Sequence, residues 1–163
     1  MDNERFFRFP TAIALGAIGE VGNRVFVVQV RDTTDRITLK LEKAQVGGLI
    51  QFITRLLDEI DHIGHMPDKF LIEPPLEQEF AVGEISVALL EEDESVMLRF
   101  TELTEDEPRV VTVQISNPLA ATLAIQGTEL IEQGRPTCPL CGYVIEPEGH
   151  PCPKTNGYRP PTM

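Results

Sequence analysis

Apolar residues change their spacing from two to three-and-four and back again, twice, and this constrains the fold more than any other feature of the chain. Residues 11–18, 24–31 and 36–41 alternate as half-buried strands do, the first interrupted by Gly16. The period then lengthens. Val46, Leu49, Ile50, Ile53, Leu56, Leu57 and Ile60 recur at three and four, which predicts an amphipathic helix over 43–63, ended by Gly64 and Pro67. Alternation returns over 80–90, around Val82, Ile85 and Val87, then over 95–103 and 109–115. Ser116 or Asn117 caps a second helix with Pro118 in its first turn, running to about Gln133 and closed by Gly134. Its apolar face is expected at Leu119, Leu123, Leu130 and Ile131.

The order strand, strand, strand, helix thus occurs twice. A shift of 74 positions places Leu39, Leu41, Val46, Leu49, Leu56 and Leu57 on Val113, Ile115, Ala120, Leu123, Leu130 and Ile131. Either 9–64 and 79–134 are repeats, or any strand-then-helix pair would align this well. Two such units side by side build an α+β domain over 1–134, a mostly antiparallel sheet with both helices on one face. Residues 65–78, with Pro67, Pro74 and Pro75, read as an ordered connection or a mobile loop.

Charge restricts the partners. The chain carries 26 acidic and 14 basic side chains, a formal net of −12, and all but two of the acidic ones precede Gly134. Such a field repels phosphate backbones, so nucleic-acid binding by the body is disfavoured. No apolar run approaches the roughly 20 residues that cross a bilayer. The first residues lack the apolar core of an export signal, so a cytoplasmic location is expected.

The composition shifts after Gly134. Residues 135–163 hold all three cysteines and seven of the thirteen prolines but few large aliphatics, so a hydrophobic core cannot order them. Cys138 and Cys141 are spaced C-x₂-C ahead of Gly142, a tight turn that aims two thiolates at one ion while the glycine lets backbone N–H groups approach the sulfurs. His150 and Cys152 follow. In extended backbone, residues i and i+2 point to the same side, so both can reach the same centre. Three thiolates and one imidazole form a closed structural zinc set with no open position for a substrate water, although H-x-C is shorter than the usual second-pair spacing. Iron is the alternative metal. A redox dithiol would normally open a helix, and none follows; a disulfide framework is disfavoured by the odd cysteine count and the missing export signal. Zinc binding to such segments is worth on the order of 10 kcal/mol, enough to order this zinc-knuckle tail. Three thiolates on Zn²⁺ leave about one net negative charge, which suits a protein-facing knuckle better than a nucleic-acid finger. Tyr143, Lys154 and Arg159 would display its outer surface, although Lys154 and Arg159 could instead pair with the acidic body.

Other candidates are weaker. His62 and His65, three apart at the end of the first helix beside Asp58, Glu59 and Asp61, could form a second metal site or an acid–base pair, against a solvated helix end that complements the macrodipole. Gly16, Gly19 and Gly22 have the wrong spacing for a nucleotide loop and read as a turn and a strand bulge. Glu91, Glu92, Asp93 and Glu94, with Glu102, Glu105, Asp106 and Glu107, read as two solvated hairpin turns at the same end of the sheet. Phe6, Phe7 and Phe9 read as core or edge cover. Serines are scarce and G-x-S-x-G is absent, which argues against a serine hydrolase.

The tail CPLCGYVIEPEGHPCPKTNGYR, preceded by Gly134, Arg135 and Pro136, closely resembles the C-terminus of an uncharacterised bacterial family, domain of unknown function 3090. RVFVVQVRD, LEKAQV, a helix ending LLDEI and the acidic stretch at 77–83 resemble the same family in the same order, over nearly the whole chain. Lys154 stands where an arginine is more usual. Carried onto this chain, the resemblance implies Cys138, Cys141, His150 and Cys152 as ligands. It implies no activity; a gene neighbourhood with histidine-phosphatase-like and lipid-kinase-like proteins hints at a phosphate-related task. The expectation is a structural-zinc protein that binds protein partners, favoured over an enzyme. The alternatives are an enzyme or accessory subunit acting on a phosphorylated or thiol substrate, with His62 and His65 at its site, and a thiol redox sensor.

Overall fold

The computed structural model describes residues 3–20 and 22–133. Its elements run β1 (Glu4–Arg8), β2 (Ala12–Ile18), β3 (Val25–Arg31), β4 (Arg36–Leu41), α1 (Lys43–Asp58), β5 (Val82–Leu90), β6 (Ser95–Glu102), β7 (Val110–Ser116) and α2 (Asn117–Gln133). The fold is α+β, with two helices and mostly antiparallel sheets. β2-β3-β4 form one sheet and β1-β7-β6-β5 the other. After β1, three strands and a helix follow one another twice.

β1 is the element that local patterning does not reveal. Its five residues carry three charges and pair in parallel with β7, Phe6 opposite Thr112, so its partner lies about a hundred positions away. Phe7 turns into the core at 3 % exposure, whereas Phe6 and Phe9 stay largely exposed. The chain then leaves this sheet, and β2 begins the other.

A short parallel link joins the two sheets. Glu79 N donates to Thr38 O (2.8 Å) and Lys40 N to Phe80 O (3.0 Å), beside β4. The helices pack against each other; α1 lies against β5, and α2 against β2 as well as β6 and β7. Each helix therefore covers a strand of the other half. Val46, Leu49, Ile53 and Leu57 supply the buried stripe of α1. The Gln45 side chain accepts from Glu42 N (2.7 Å) and donates to Val82 O (2.8 Å), fixing the start of the helix to β5. On α2, Gly127 permits the closest approach: a Cβ there would sit 2.9 Å from Ile50 and 3.0 Å from Leu15.

α1 ends at Asp58, five residues before the end that periodicity predicts. Glu59 is its C-cap, and Ile60 N closes a tight turn on Leu57 O (3.1 Å). Ile60 and Ile63 pack against the core after the helix has ended, so the apolar pattern outlasts the helix. Two further expectations are corrected. Gly19 and Gly22 do adopt the left-handed region of a turn, but the β2–β3 ladder runs without a bulge; the irregularity lies between Val82 and Glu84. The two acidic turns, 91–94 and 103–109, occupy opposite ends of their sheet, because consecutive turns of an antiparallel meander must alternate.

Residues 65–78 form an ordered strap over the second face of the β2-β3-β4 sheet, the face carrying Ala12, Ala14, Gly16 and Gln29. A Cβ on Gly16 would fall 2.6 Å from Ile72 Cδ1, so only glycine admits the strap at that distance. Gln29, fully buried, pairs with Glu73 as a strand residue would: Nε2 donates to Glu73 O and Glu73 N donates to Oε1, both at 2.8 Å. Nε2 also donates to Thr38 Oγ1 (3.1 Å). From α2, Thr122 Oγ1 donates to Pro67 O (2.8 Å), while the Gln126 amide accepts from Leu15 N (2.9 Å) and donates to Phe70 O (2.6 Å). Buried side-chain amides thus replace the backbone ladder that a further strand would provide.

Candidate functional site

The end of α1, the β5–β6 turn and the start of α2 enclose a cleft of about 610 Å³. Ser116 caps α2, its Oγ accepting from Leu119 N (3.3 Å). Asn117 is then the first helical residue, and its backbone N donates to Glu94 O (3.1 Å). Glu94 holds φ at 50°, an uncommon value for a residue with a Cβ, and this bends the turn back over the helix start. Below it, Gln114 Nε2 donates to both Ser95 Oγ (2.9 Å) and Asp93 Oδ2 (3.2 Å).

Among the described residues, Glu59, Glu91, Asp93 and Glu94 line this cleft with His62, and neither Lys nor Arg does. Ile60, Ile63, Leu89 and Pro118 supply apolar walls. Asn117 is 6 % exposed, and its Oδ1 is buried with no hydrogen-bond donor among the described residues. A buried acceptor without a donor is costly. Sequence reasoning saw Asn117 only as a possible cap; once Ser116 takes that role, the amide beside it is left to face inward.

His62 lies in the cleft lining and His65 does not. Both fall beyond the end of α1, so the helical spacing that would put them on one face does not apply. Gly64, at φ 101°, turns the chain between them. Among the described residues, no three of His, Cys, Asp and Glu are grouped to hold one metal ion. Cys138, Cys141, His150 and Cys152 lie outside the described residues, as do Tyr143, Lys154 and Arg159.

A second concavity, of about 590 Å³, opens at the β3–β4 turn. Its charges are largely matched among themselves. Arg31 pairs with Glu73, Arg5 with Asp35, and Arg36 Nη1 donates to Pro74 O (2.7 Å). Hydrogen bonding from Arg31 holds the Glu73 carboxyl below its ordinary range, and that from Arg5 does the same for Asp35. At the opposite end of β6, Arg109 grips Glu102 through Nε (3.0 Å) and Nη2 (2.9 Å); this lowers the carboxyl and raises the guanidinium. These pairs pin the strap and the turns. One buried N–H of Arg31, at Nε, lacks an acceptor among the described residues.

No helix among the described residues is long and apolar enough to cross a membrane. Comparison with curated proteins and with solved structures gives no match. A family match spans residues 5–152, from β1 through the last of the four candidate ligands, and by it the chain belongs to the protein family of unknown function DUF3090.

Proposed function

We propose that this chain is a zinc-binding protein-interaction module of the cytoplasm, in which an acidic α+β body carries a zinc knuckle built by Cys138, Cys141, His150 and Cys152. The observation that carries the reading is the donor set itself, C-x₂-C followed by H-x-C, in a segment too poor in aliphatics to order itself otherwise. The family match, which extends through Cys152, supports treating the knuckle and body as one unit. Three thiolates and an imidazole suit Zn²⁺, which would contribute folding free energy to the tail. Tyr143, Lys154 and Arg159 flank the ligands and would present a basic, aromatic surface to a protein partner, away from a body whose charge repels nucleic acid.

Elemental analysis of the untagged full-length chain, purified without added metal, tests the reading. About one zinc per chain is the expected result, falling when Cys138→Ser or His150→Ala removes a ligand. A metal-free chain with three freely titrating thiols would overturn it and support thiol redox sensing. Charge reversal at Lys154 and Arg159, with zinc retained, is expected to release the partner.

A further inference from the structure

The segment that carries the four candidate ligands leaves the body beside a groove that matches it in charge. We propose that the zinc-loaded knuckle seats in this groove, between the β2–β3 hairpin, the strap and the end of α2, so that the tail docks on its own body. The inference rests on the zinc reading and adds to it the surface that holds the knuckle.

Position is the first argument. The groove, of about 270 Å³, is lined by Arg24 from the hairpin, by Lys69, Leu71 and Ile72 from the strap, and by Leu130 and Gln133 from α2. Gln133 is the last residue of that helix. Cys138 follows it by five residues, so even a fully extended chain keeps it within about 18 Å of Gln133. A tether that short gives the knuckle an effective concentration in the millimolar range. A modest contact is then enough to seat it.

Charge is the second argument. Arg135, Glu146, Glu148 and a centre of three thiolates on Zn²⁺ together give residues 135–152 about two net negative charges. The acidic body repels such a segment over most of its surface. Among the described residues, four carboxylates line the cleft at the start of α2, and three carboxylates against two guanidiniums line the concavity at the β3–β4 turn. The groove at the end of α2 is lined by Arg24 and Lys69 against Glu129. Lys69 pairs with Glu129 (3.6 Å), which leaves the Arg24 guanidinium as the surplus cation, with N–H donors suited to ligand sulfurs.

Apolar surface adds to both. Leu71 is 67 % exposed on the rim, next to the half-buried Ile72. Leu140, between the first two cysteines, is the large aliphatic nearest the tether and meets Leu71 in the seated knuckle. Lys154 and Arg159 have the wrong sign for this groove, so they stay available to a protein partner.

The test follows backbone amide shifts of the full-length chain while a chelator strips the metal. Zinc content is measured first. A parent chain without zinc refutes the knuckle and the seat with it; a loaded chain isolates the seat. Stripping zinc should shift the amides of Leu15, Ala17, Lys69 and Ile72, which are remote from the tail in sequence, and leave those of β5 unmoved. Arg24→Glu with Leu71→Asp should retain about one zinc per chain, lose these shifts and release zinc to the chelator about tenfold more readily. Arg24→Lys, which keeps the charge, should preserve most of the effect. Each single variant should give part of it, which keeps the test independent of whether the double variant folds. Groove amides that ignore zinc removal in the loaded parent would overturn the proposal while leaving the knuckle intact. So would an unchanged response in the charge-reversed variants, or shifts that fade on dilution of a dimer, which would place a second copy's knuckle in the groove.

Discussion

Replacing Gln29 by leucine should release the strap and remove a substantial share of the stability. Gln29 is fully buried and makes three hydrogen bonds, two to Glu73 and one to Thr38. Leucine keeps nearly the same volume, so no large cavity opens and the loss is one of polar satisfaction. Each bond contributes roughly 0.5–1.5 kcal/mol net, and a buried partner left unpaired costs roughly 1–3 kcal/mol. Thr38, at 3 % exposure, cannot rehydrate its hydroxyl; the Glu73 backbone, on the strap, can do so in part. The expected cost is therefore about 3–4 kcal/mol, against a total stability of roughly 5–15 kcal/mol for a domain. The variant should fold, with a lower urea midpoint and faster exchange of the Glu73 amide. Adding Thr38→Val should recover part of the loss, because it removes the stranded hydroxyl. A loss below about 1 kcal/mol, with the Glu73 amide as protected as in the parent, would refute the view that buried amides hold the strap.

Two further perturbations probe the same region. Gly16→Ala should destabilise by roughly 1–3 kcal/mol through collision with Ile72, and Ile72→Ala should restore much of that in a double-mutant cycle of denaturation midpoints. Asp35, Glu73 and Glu102 each have a lowered carboxyl pKa, held down chiefly by hydrogen bonds from Arg5, Arg31 and Arg109. The unfolded chain therefore binds more protons than the folded one in the acid range. The stability these groups contribute is fully present above the ordinary carboxylate pKa, about 4, and is lost as pH falls through the lowered values. Melting temperatures between pH 6 and pH 3 should fall less steeply when all three are changed to their amides; an unchanged slope would show that other groups govern acid unfolding.

Much of the fold was legible because hydrophobic period is a local signal. β3, β4, β7 and the start of both helices fall within a residue or two of where alternation and capping place them. The failures share a physical cause, which is that their determinants lie far away in the chain. β1 has no pattern of its own and exists through its pairing with β7. The end of α1 was misplaced because Ile60 and Ile63 find apolar neighbours without helical backbone. Gln29 occupies the nominally polar face of its strand, and nothing near it signals that residue 73 will bury it. At the cleft, the acidic turn and His62 were visible individually, but not their meeting with Asn117, which depends on how α2 leaves β7. The proposed zinc ligands lie at the other extreme: Cys138, Cys141, His150 and Cys152 are put forward on spacing alone, and they lie outside the described residues.

The parallel pairing of β1 with β7 has a consequence for synthesis. Glu4–Arg8 leaves the ribosome well before Val110–Ser116, the strand that completes its hydrogen bonding. Until β7 emerges, Phe6 and Phe7 belong to a segment without its strand partner, of the kind that invites intermolecular association. Because each helix also covers a strand of the other half, the nascent chain cannot secure its N-terminal half first and add the rest later. Closure is expected to be a late, single event. A ribosome stalled within α2 is therefore expected to carry a chain that is still protease-sensitive throughout, and one stalled far enough beyond Gln133 for the body to clear the exit tunnel, with a linker appended where needed, a chain whose two halves become resistant together.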